Sequence, residues 1–169
     1  MALTLQNSNL VWQKVRQLLN GASPAAQEAF RGLKVYFATQ KKNPDLQLVS
    51  WTASGALAAS GTGTMASSTG GVAGIAGTGT LYAVYAKHQG TGTTDAFFRV
   101  DDAINNVTGT AQAICGANLN ATGDEFIWTN PNGTIFLVDL CVTSTTTFGG
   151  VTETTGVADT PHGFAILGA

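Results

Sequence analysis

The hydrophobic positions near the start of the chain follow a helical period. A first helix is predicted from Leu10 to Asn20, with Ser8 or Asn9 as its N-cap and Gly21 as a left-handed stop. Its apolar residues recur at the spacing of one helix face: Val11, Val15, Leu18 and Leu19. This pattern predicts an amphipathic helix with one buried face.

A second helix is predicted to begin after Ser23, a residue that caps helix N-termini well, with Pro24 at the first helical position. Glu28 lies near the positive end of this helix's dipole, and Lys41 and Lys42 lie near its negative end. Its apolar stripe comprises Ala26, Phe30, Leu33 and Phe37. The two helices predict a hairpin that either packs on the protein's own β domain or grips a neighbouring molecule.

From Leu46 onward the pattern changes to short β-prone runs that Gly, Asn, Ser and Thr residues separate. Residues 1–45 are therefore predicted to form a helical N-terminal segment, and residues 46–169 a β domain. The spacing predicts a mainly β fold, an antiparallel sandwich or jelly roll. The predicted strands are Leu46–Thr52, Gly79–Lys87, Ala96–Val100, Ala111–Cys115, Glu125–Thr129, Thr134–Thr143 and Gly163–Leu167.

The sequence Asn130-Pro131-Asn132-Gly133 is the strongest turn signal in the β domain. Asn-Gly favours the positive φ angles of a tight hairpin turn. We therefore expect a positive φ at Gly133. We also expect the flanking strands, Glu125–Thr129 and Thr134–Thr143, to pair with each other in the centre of the β core.

The segment from Leu46 to Ala86 contains no Asp, Glu, Lys or Arg. Its apolar runs are far shorter than the roughly 20 residues that a membrane-spanning helix needs. Full disorder is also disfavoured, because 44% of the chain is hydrophobic and the net charge is only −2. Only 11% of the residues are charged, which predicts burial against further copies of the chain or within a larger assembly. Large side chains are rare between Ala53 and Gly79, which predicts a long loop.

The charge is divided between the two parts of the chain. Residues 1–45 carry a balance of +4, and residues 46–169 carry a balance of −6. The basic groups of the helical segment are Lys14, Arg16, Arg31, Lys34, Lys41 and Lys42. They are too dispersed for a typical nucleic-acid site, so a protein contact or an ordinary solvated helix face is favoured.

The titratable residues predict no catalytic or metal site. His88 and His162 each lie in a Gly-rich turn, and exposed turn histidines are the favoured interpretation. Asp101-Asp102 and Asp124-Glu125 are adjacent pairs whose side chains point to opposite faces of a strand, which favours roles in turns and at strand starts. No nucleotide-binding or zinc-ligand spacing occurs, so no cofactor is expected.

The two cysteines, Cys115 and Cys141, lie in β-like apolar runs without a CxxC or His-rich context. Buried reduced thiols are favoured, and a disulfide remains the alternative. The first residues lack the basic and apolar regions of a secretory signal, which predicts synthesis in the cytosol.

Four aromatic residues offer a second kind of site. Flat sugar faces stack on such rings, so a glycan could bind Trp51, Tyr82, Tyr85 and Trp128. All four lie in predicted strands, where packing in the core or at a subunit interface is the commoner use.

A helical segment over Leu10–Lys42, the uncharged stretch Leu46–Ala86 and apolar strands such as Thr134–Val142 together resemble a class of viral protein. The chain is similar to accessory structural proteins of tailed-bacteriophage virions, in particular head decoration (cement) proteins and short head fibres. The resemblance implies a non-enzymatic protein made in the host cytoplasm and carried on the capsid surface. It also implies many copies, commonly homotrimers, that bind the major capsid protein and stabilise the shell.

Two other functions stay open at this point. One is a jelly-roll fibre or tail-tip module that binds a host glycan through the four aromatic residues. The other is a shell-forming capsid protein of a small virus with a basic arm. Neither a membrane nor direct nucleic-acid binding is expected.

Overall fold

The computed structural model describes residues 8–41, 44–52, 63–64, 72–76, 78–88, 96–102, 113–137, 139–145 and 161–168. In these residues two helices, α1 (Ser8–Leu18) and α2 (Pro24–Gln40), precede the strands. The strands are β1 (Gln47–Thr52), β2 (Gly63–Thr64), β3 (Val72–Ala76), β4 (Gly79–Lys87), β5 (Ala96–Asp102), β6 (Ala113–Leu119), β7 (Glu125–Phe136), β8 (Asp139–Thr145) and β9 (His162–Gly168).

Both predicted helices are confirmed, as are the N-cap of α2 and the glycine stop of α1. The predicted N-cap of α1, Ser8 or Asn9, is wrong, because both residues already lie within the helix. Ser23 Oγ accepts the Ala26 N–H at 3.2 Å, and Pro24 opens α2. Gly21 ends the first helical region at φ 81°. The predicted stripe of α2 is buried throughout. In α1 the buried face is rotated toward Trp12, which is 6% exposed, whereas Leu18 faces solvent at 44%.

The strands form two sheets, and the predicted antiparallel sandwich is confirmed. One sheet has the order β2-β1-β9-β4-β7, and the other has the order β3-β8-β5-β6. All pairs are antiparallel except β1 with β2. One hydrophobic core lies between the sheets, and a second lies between the helices and the five-stranded sheet. The molecule therefore has three layers, with the five-stranded sheet in the middle.

The three central strands of the middle sheet, β1, β9 and β4, are buried on both faces. In β9, Phe164 and Ile166 pack with the helices, whereas Ala165 and Leu167 pack toward the four-stranded sheet. Strand β1 and, apart from its last residue Lys87, strand β4 belong to the uncharged stretch Leu46–Ala86 and have the same two-sided burial. A charged side chain on either face of these strands would lose its hydration, which explains the absence of charge there. Of the two alternatives for the helical hairpin, the structure has it packed on the protein's own sheet.

The predicted hairpin at residues 130–133 is wrong. Its two flanks do not pair with each other, because both pair with β4: Thr129 lies opposite Ala83, and Thr134 lies opposite Leu81. Residues 130–133 form a wide bulge within the single strand β7. Two short-range hydrogen bonds close the bulge, from Asn130 Nδ2 to Thr134 Oγ1 at 3.0 Å and from the Asn132 N–H to Asn130 Oδ1 at 3.2 Å.

The positive φ at Gly133 is confirmed at 82°. The predicted strand Thr134–Thr143 is divided, because its first part ends β7 and its last part belongs to β8 in the other sheet. The predicted loop between Ala53 and Gly79 is wrong where it contains β2 and β3. Most of its other residues lie outside the described ranges.

Candidate functional site

The connection between the two helices is attached to the sheet by one carboxylate. Glu125, the first residue of β7, accepts the Ser23 N–H on Oε1 at 3.0 Å and on Oε2 at 3.2 Å. The Tyr85 hydroxyl donates to Oε1 at 2.9 Å, and Lys87 Nζ lies 3.4 Å from the same atom. Lys87 Nζ also donates to the Gly21 carbonyl at 3.1 Å. These bonds fix the helical layer at the end where α2 begins.

The ionisation of this cluster follows from its contacts. Burial acts to raise the pKa of Glu125, but hydrogen bonds from Ser23 and Tyr85 and the charge of Lys87 lower it overall. Burial, together with the hydrogen bond to Glu125 and its charge, raises the pKa of Tyr85. At neutral pH, Glu125 is therefore an ionised acceptor and Tyr85 a protonated donor.

A groove of about 1090 Å³ runs between α1 and α2. Buried apolar side chains of both helices line it, among them Trp12, Val15 and Phe30. Arg16 of α1 and Lys34 of α2 also line it, and both are exposed. The groove therefore combines apolar walls with cationic side chains that reach solvent.

One ion pair lies within this groove. Arg31 donates from Nε and Nη2 to the two carboxylate oxygens of Glu28 at 2.9 and 2.8 Å. The hydrogen bond and charge of Arg31 lower the pKa of Glu28. Both side chains are mostly exposed, so the pair stabilises the fold little.

The structure places five of the six predicted partner-binding residues on the exposed surface of the helical layer: Lys14, Arg16, Arg31, Lys34 and Lys41. Lys42 lies outside the described residues. Arg16, Arg31 and Lys34 share the groove, whereas Lys14 and Lys41 are not among its lining residues.

The four aromatic residues considered for glycan stacking do not form a common surface. Trp51 is 1% exposed, lies 5.8 Å from the Phe98 ring centroid and donates from Nε1 to the Pro161 carbonyl at 3.1 Å. Trp128 packs against the same core between the sheets. Tyr82 and Tyr85 pack toward the helices, on the opposite face of the five-stranded sheet. The sheet thus separates the two tryptophans from the two tyrosines.

His88 is not the exposed turn residue that the sequence predicts. Its N–H donates to the Asp124 carbonyl at 2.9 Å, and its carbonyl accepts the Gly123 N–H at 2.9 Å, so it extends the β4 ladder by one residue. The side chain is fully buried, and neither ring nitrogen has a hydrogen-bond partner among the described residues. His162 is partly buried at the start of β9, and burial lowers its pKa.

Asp124 and Glu125 have the predicted roles, in a turn and at a strand start, but the prediction is wrong for Asp101 and Asp102, which are the last two residues of β5. Asp102 Oδ2 accepts the Leu137 N–H at 2.9 Å, and Asp124 Oδ2 accepts two N–H groups of the preceding turn. Asp101 is fully buried, and its Oδ2 accepts from Arg99 Nε at 2.9 Å. Burial raises the pKa of Asp101, although Arg99 opposes the shift.

Among the described residues, no cluster of three or more His, Cys, Asp or Glu side chains is arranged to hold a metal ion. Within the same ranges, neither helix is long and apolar enough to cross a membrane. Comparison with models of protein families, with curated proteins and with solved structures finds no match. The candidate site is therefore the exposed helical layer with its groove, argued from its geometry.

Proposed function

We propose that this protein is a non-enzymatic virion component that decorates and stabilises a tailed-phage capsid through many-copy contacts with the major capsid protein. The observation that carries the proposal is that the two helices are amphipathic and present their polar faces to solvent. Their apolar faces contact the protein's own sheet, and their described basic side chains face solvent. Such a layer offers a fixed cationic surface to an acidic partner.

The proposed mechanism is additive. An exposed ion pair contributes only about 0.2–1 kcal/mol, so a single helical layer holds its partner weakly. In a homotrimer three layers bind together, and the second and third contacts form at a high effective concentration. The result is stable attachment at symmetry positions of the shell.

The two alternative functions have less support. A glycan-binding fibre needs clustered, accessible aromatic rings, whereas Trp51 and Tyr85 are buried on opposite faces of a sheet. A shell protein with a flexible basic arm needs basic residues on an extended segment. Here Lys14, Arg16 and Lys34 lie on helices.

Electron microscopy of purified tailed-phage particles, after incubation with gold-labelled protein, tests the proposal. We expect the label at repeated symmetry positions on the outside of the head. Labelled heads should also release their DNA at a higher temperature than undecorated heads. Absence from heads, or a label confined to the tail tip, would overturn the proposal.

The oligomeric state that this mechanism requires is measured separately. Light scattering at micromolar concentration is expected to give the mass of a homotrimer. A monomer at that concentration would remove the avidity step from the mechanism.

A further inference from the structure

The groove between α1 and α2 has cationic groups without an ion-pair partner. Arg31 is paired with Glu28, but in the described part of the chain neither Arg16 nor Lys34 lies within ion-pair distance of a carboxylate. Arg16 and Lys34 come from different helices and line the same groove. They therefore present two separate positive charges to whatever occupies it.

A second observation concerns the wall of the same groove. The Trp12 side chain is 6% exposed, and its indole Nε1 has no hydrogen-bond partner in the described ranges. A buried donor without an acceptor is unfavourable, and native structures rarely keep one without a reason. An occupant with carbonyl or carboxylate oxygens would supply the missing acceptor once the ring has turned Nε1 toward the groove.

The size and lining of the groove favour one class of ligand over a single ion or a nucleic acid. At about 1090 Å³ it is far larger than a single ion needs, and its walls are partly apolar. A nucleic acid carries a phosphate on every nucleotide and is matched by dense basic clusters, which two unpaired cations do not provide. An acidic peptide segment with some apolar side chains fits both the charge and the walls.

We propose that this groove binds an acidic peptide segment of the docking partner, with carboxylates paired to Arg16 and Lys34. The inference rests on the proposed docking role of the helical layer and specifies where the partner is held. Trp12 donates its indole N–H to the bound segment, and the apolar part of the groove lining contacts its apolar side chains.

The test measures binding of a fluorescein-labelled peptide of alternating glutamate and leucine by fluorescence anisotropy. The double variant Arg16→Gln/Lys34→Gln is expected to bind about tenfold more weakly than the wild type, since it loses two charge pairs. The matched control, Lys14→Gln/Lys41→Gln, removes the same charge from exposed helix positions outside the groove. Its affinity should change less than about twofold.

A second readout follows the indole directly. The Trp12 Nε1–H resonance, assigned by NMR in the wild-type protein, is expected to shift when the glutamate peptide is added. A peptide with glutamine in place of glutamate should leave it in place. An unchanged Trp12 resonance under saturating glutamate peptide would overturn the proposed contact.

Four outcomes decide this inference, and the last two separate it from the proposed function. Equal weakening in the two double variants would overturn the groove, because it would indicate diffuse attraction by charge. Binding of a DNA oligonucleotide without binding of the peptide would also overturn it. If the wild type binds the peptide but no phage head, the groove is supported and the proposed function fails. If Arg16→Gln/Lys34→Gln still decorates heads as the wild type does, the function stands and the groove is overturned.

Discussion

Ser23 and Glu125 lie 102 positions apart in the chain, yet the Ser23 N–H donates to both carboxylate oxygens of Glu125. The contact joins the start of α2 to the start of β7. Tyr85 and Lys87 reach the same carboxylate, so Glu125 adds a polar attachment to the apolar packing between the helical layer and the middle sheet.

Replacement of Glu125 is expected to destabilise the whole fold. Glu125→Gln removes the charge and replaces one acceptor oxygen with an amide donor, which leaves the Ser23 N–H or the Tyr85 hydroxyl poorly paired. We expect a loss of about 1–3 kcal/mol in the free energy of unfolding, measured in urea at neutral pH. The matched control Glu28→Gln, at an exposed ion pair, should change it little. Similar losses in both variants would contradict the role assigned to Glu125.

The contribution of Glu125 to the free energy of unfolding should depend on pH. Its pKa in the folded protein is lower than the ordinary value of 4.5, so the unfolded chain binds its proton first as the pH falls. The stabilisation is therefore complete above about pH 5 and is lost as the pH falls through 4.5 toward the folded pKa. The difference in unfolding free energy between wild type and Glu125→Gln should narrow over that range. A constant difference down to about pH 3 would contradict it.

Two glycines with positive φ separate backbone strain from crowding. Gly133 and Gly123 have φ 82° and 93°. A Cβ at Gly123 meets no atom within 4 Å, whereas a Cβ at Gly133 lies 2.9 Å from the Tyr82 ring and also clashes with Thr80. Gly123→Ala should cost about 1–2 kcal/mol from the backbone alone. Gly133→Ala should cost clearly more in the same thermal unfolding assay, and equal costs would contradict the close packing of the bulge.

The helices are expected to unfold together with the sheets. Phe30 is 2% exposed and lies 5.0 Å from Phe164, between ring centroids. Phe30→Ala should cost about 3–5 kcal/mol, whereas Val35→Ala, at a residue 54% exposed on the same helix, should cost under about 0.5 kcal/mol. Circular dichroism and tryptophan fluorescence should report one transition. Two separate transitions would show that the helical layer is an independent unit.

The cysteines are expected to remain reduced and unreactive. Both carry thiols: Cys115 lies opposite Val100 and Cys141 lies opposite Asp101, so they point to opposite faces of the sheet. Burial and the charge of Asp101 raise the pKa of Cys115 to about 12. Iodoacetamide should alkylate both thiols only after unfolding, as measured by intact mass. A non-reduced mass lower by two hydrogens would contradict this prediction.

Local signals in the sequence were sufficient for the helices and most strands. The Ser23-Pro24 cap and the stripe through Phe30 and Phe37 act within a few residues of each other, so they are visible in the sequence. β4 was predicted with its observed bounds, Gly79–Lys87, because its apolar run is continuous and ends at a charge.

Pairing between distant residues explains what the sequence did not reveal. Asn-Gly determined the φ of Gly133, but the partner of both flanks is β4, almost 50 residues upstream. The carboxylate contact of Glu125 with Ser23 has no local signature. The burial of Trp12 had a weak local signal, since this residue lies three positions before Val15 on the same side of α1. Gly-rich neighbours concealed the burial of His88, which depends on its pairing with Asp124.

The position of β9 between β1 and β4 has a consequence for folding during synthesis. A ribosome makes the helices and the pairs β1–β2 and β4–β7 before residues 162–168 emerge. Until β9 arrives, β1 and β4 each have an open edge, and the inner face of the helices has no complete sheet to cover. Such long-range closure slows folding and favours aggregation of incomplete chains. Truncation before His162 should therefore yield insoluble protein. When residues 162–168 are present, β9 pairs with both β1 and β4 and completes the sheet.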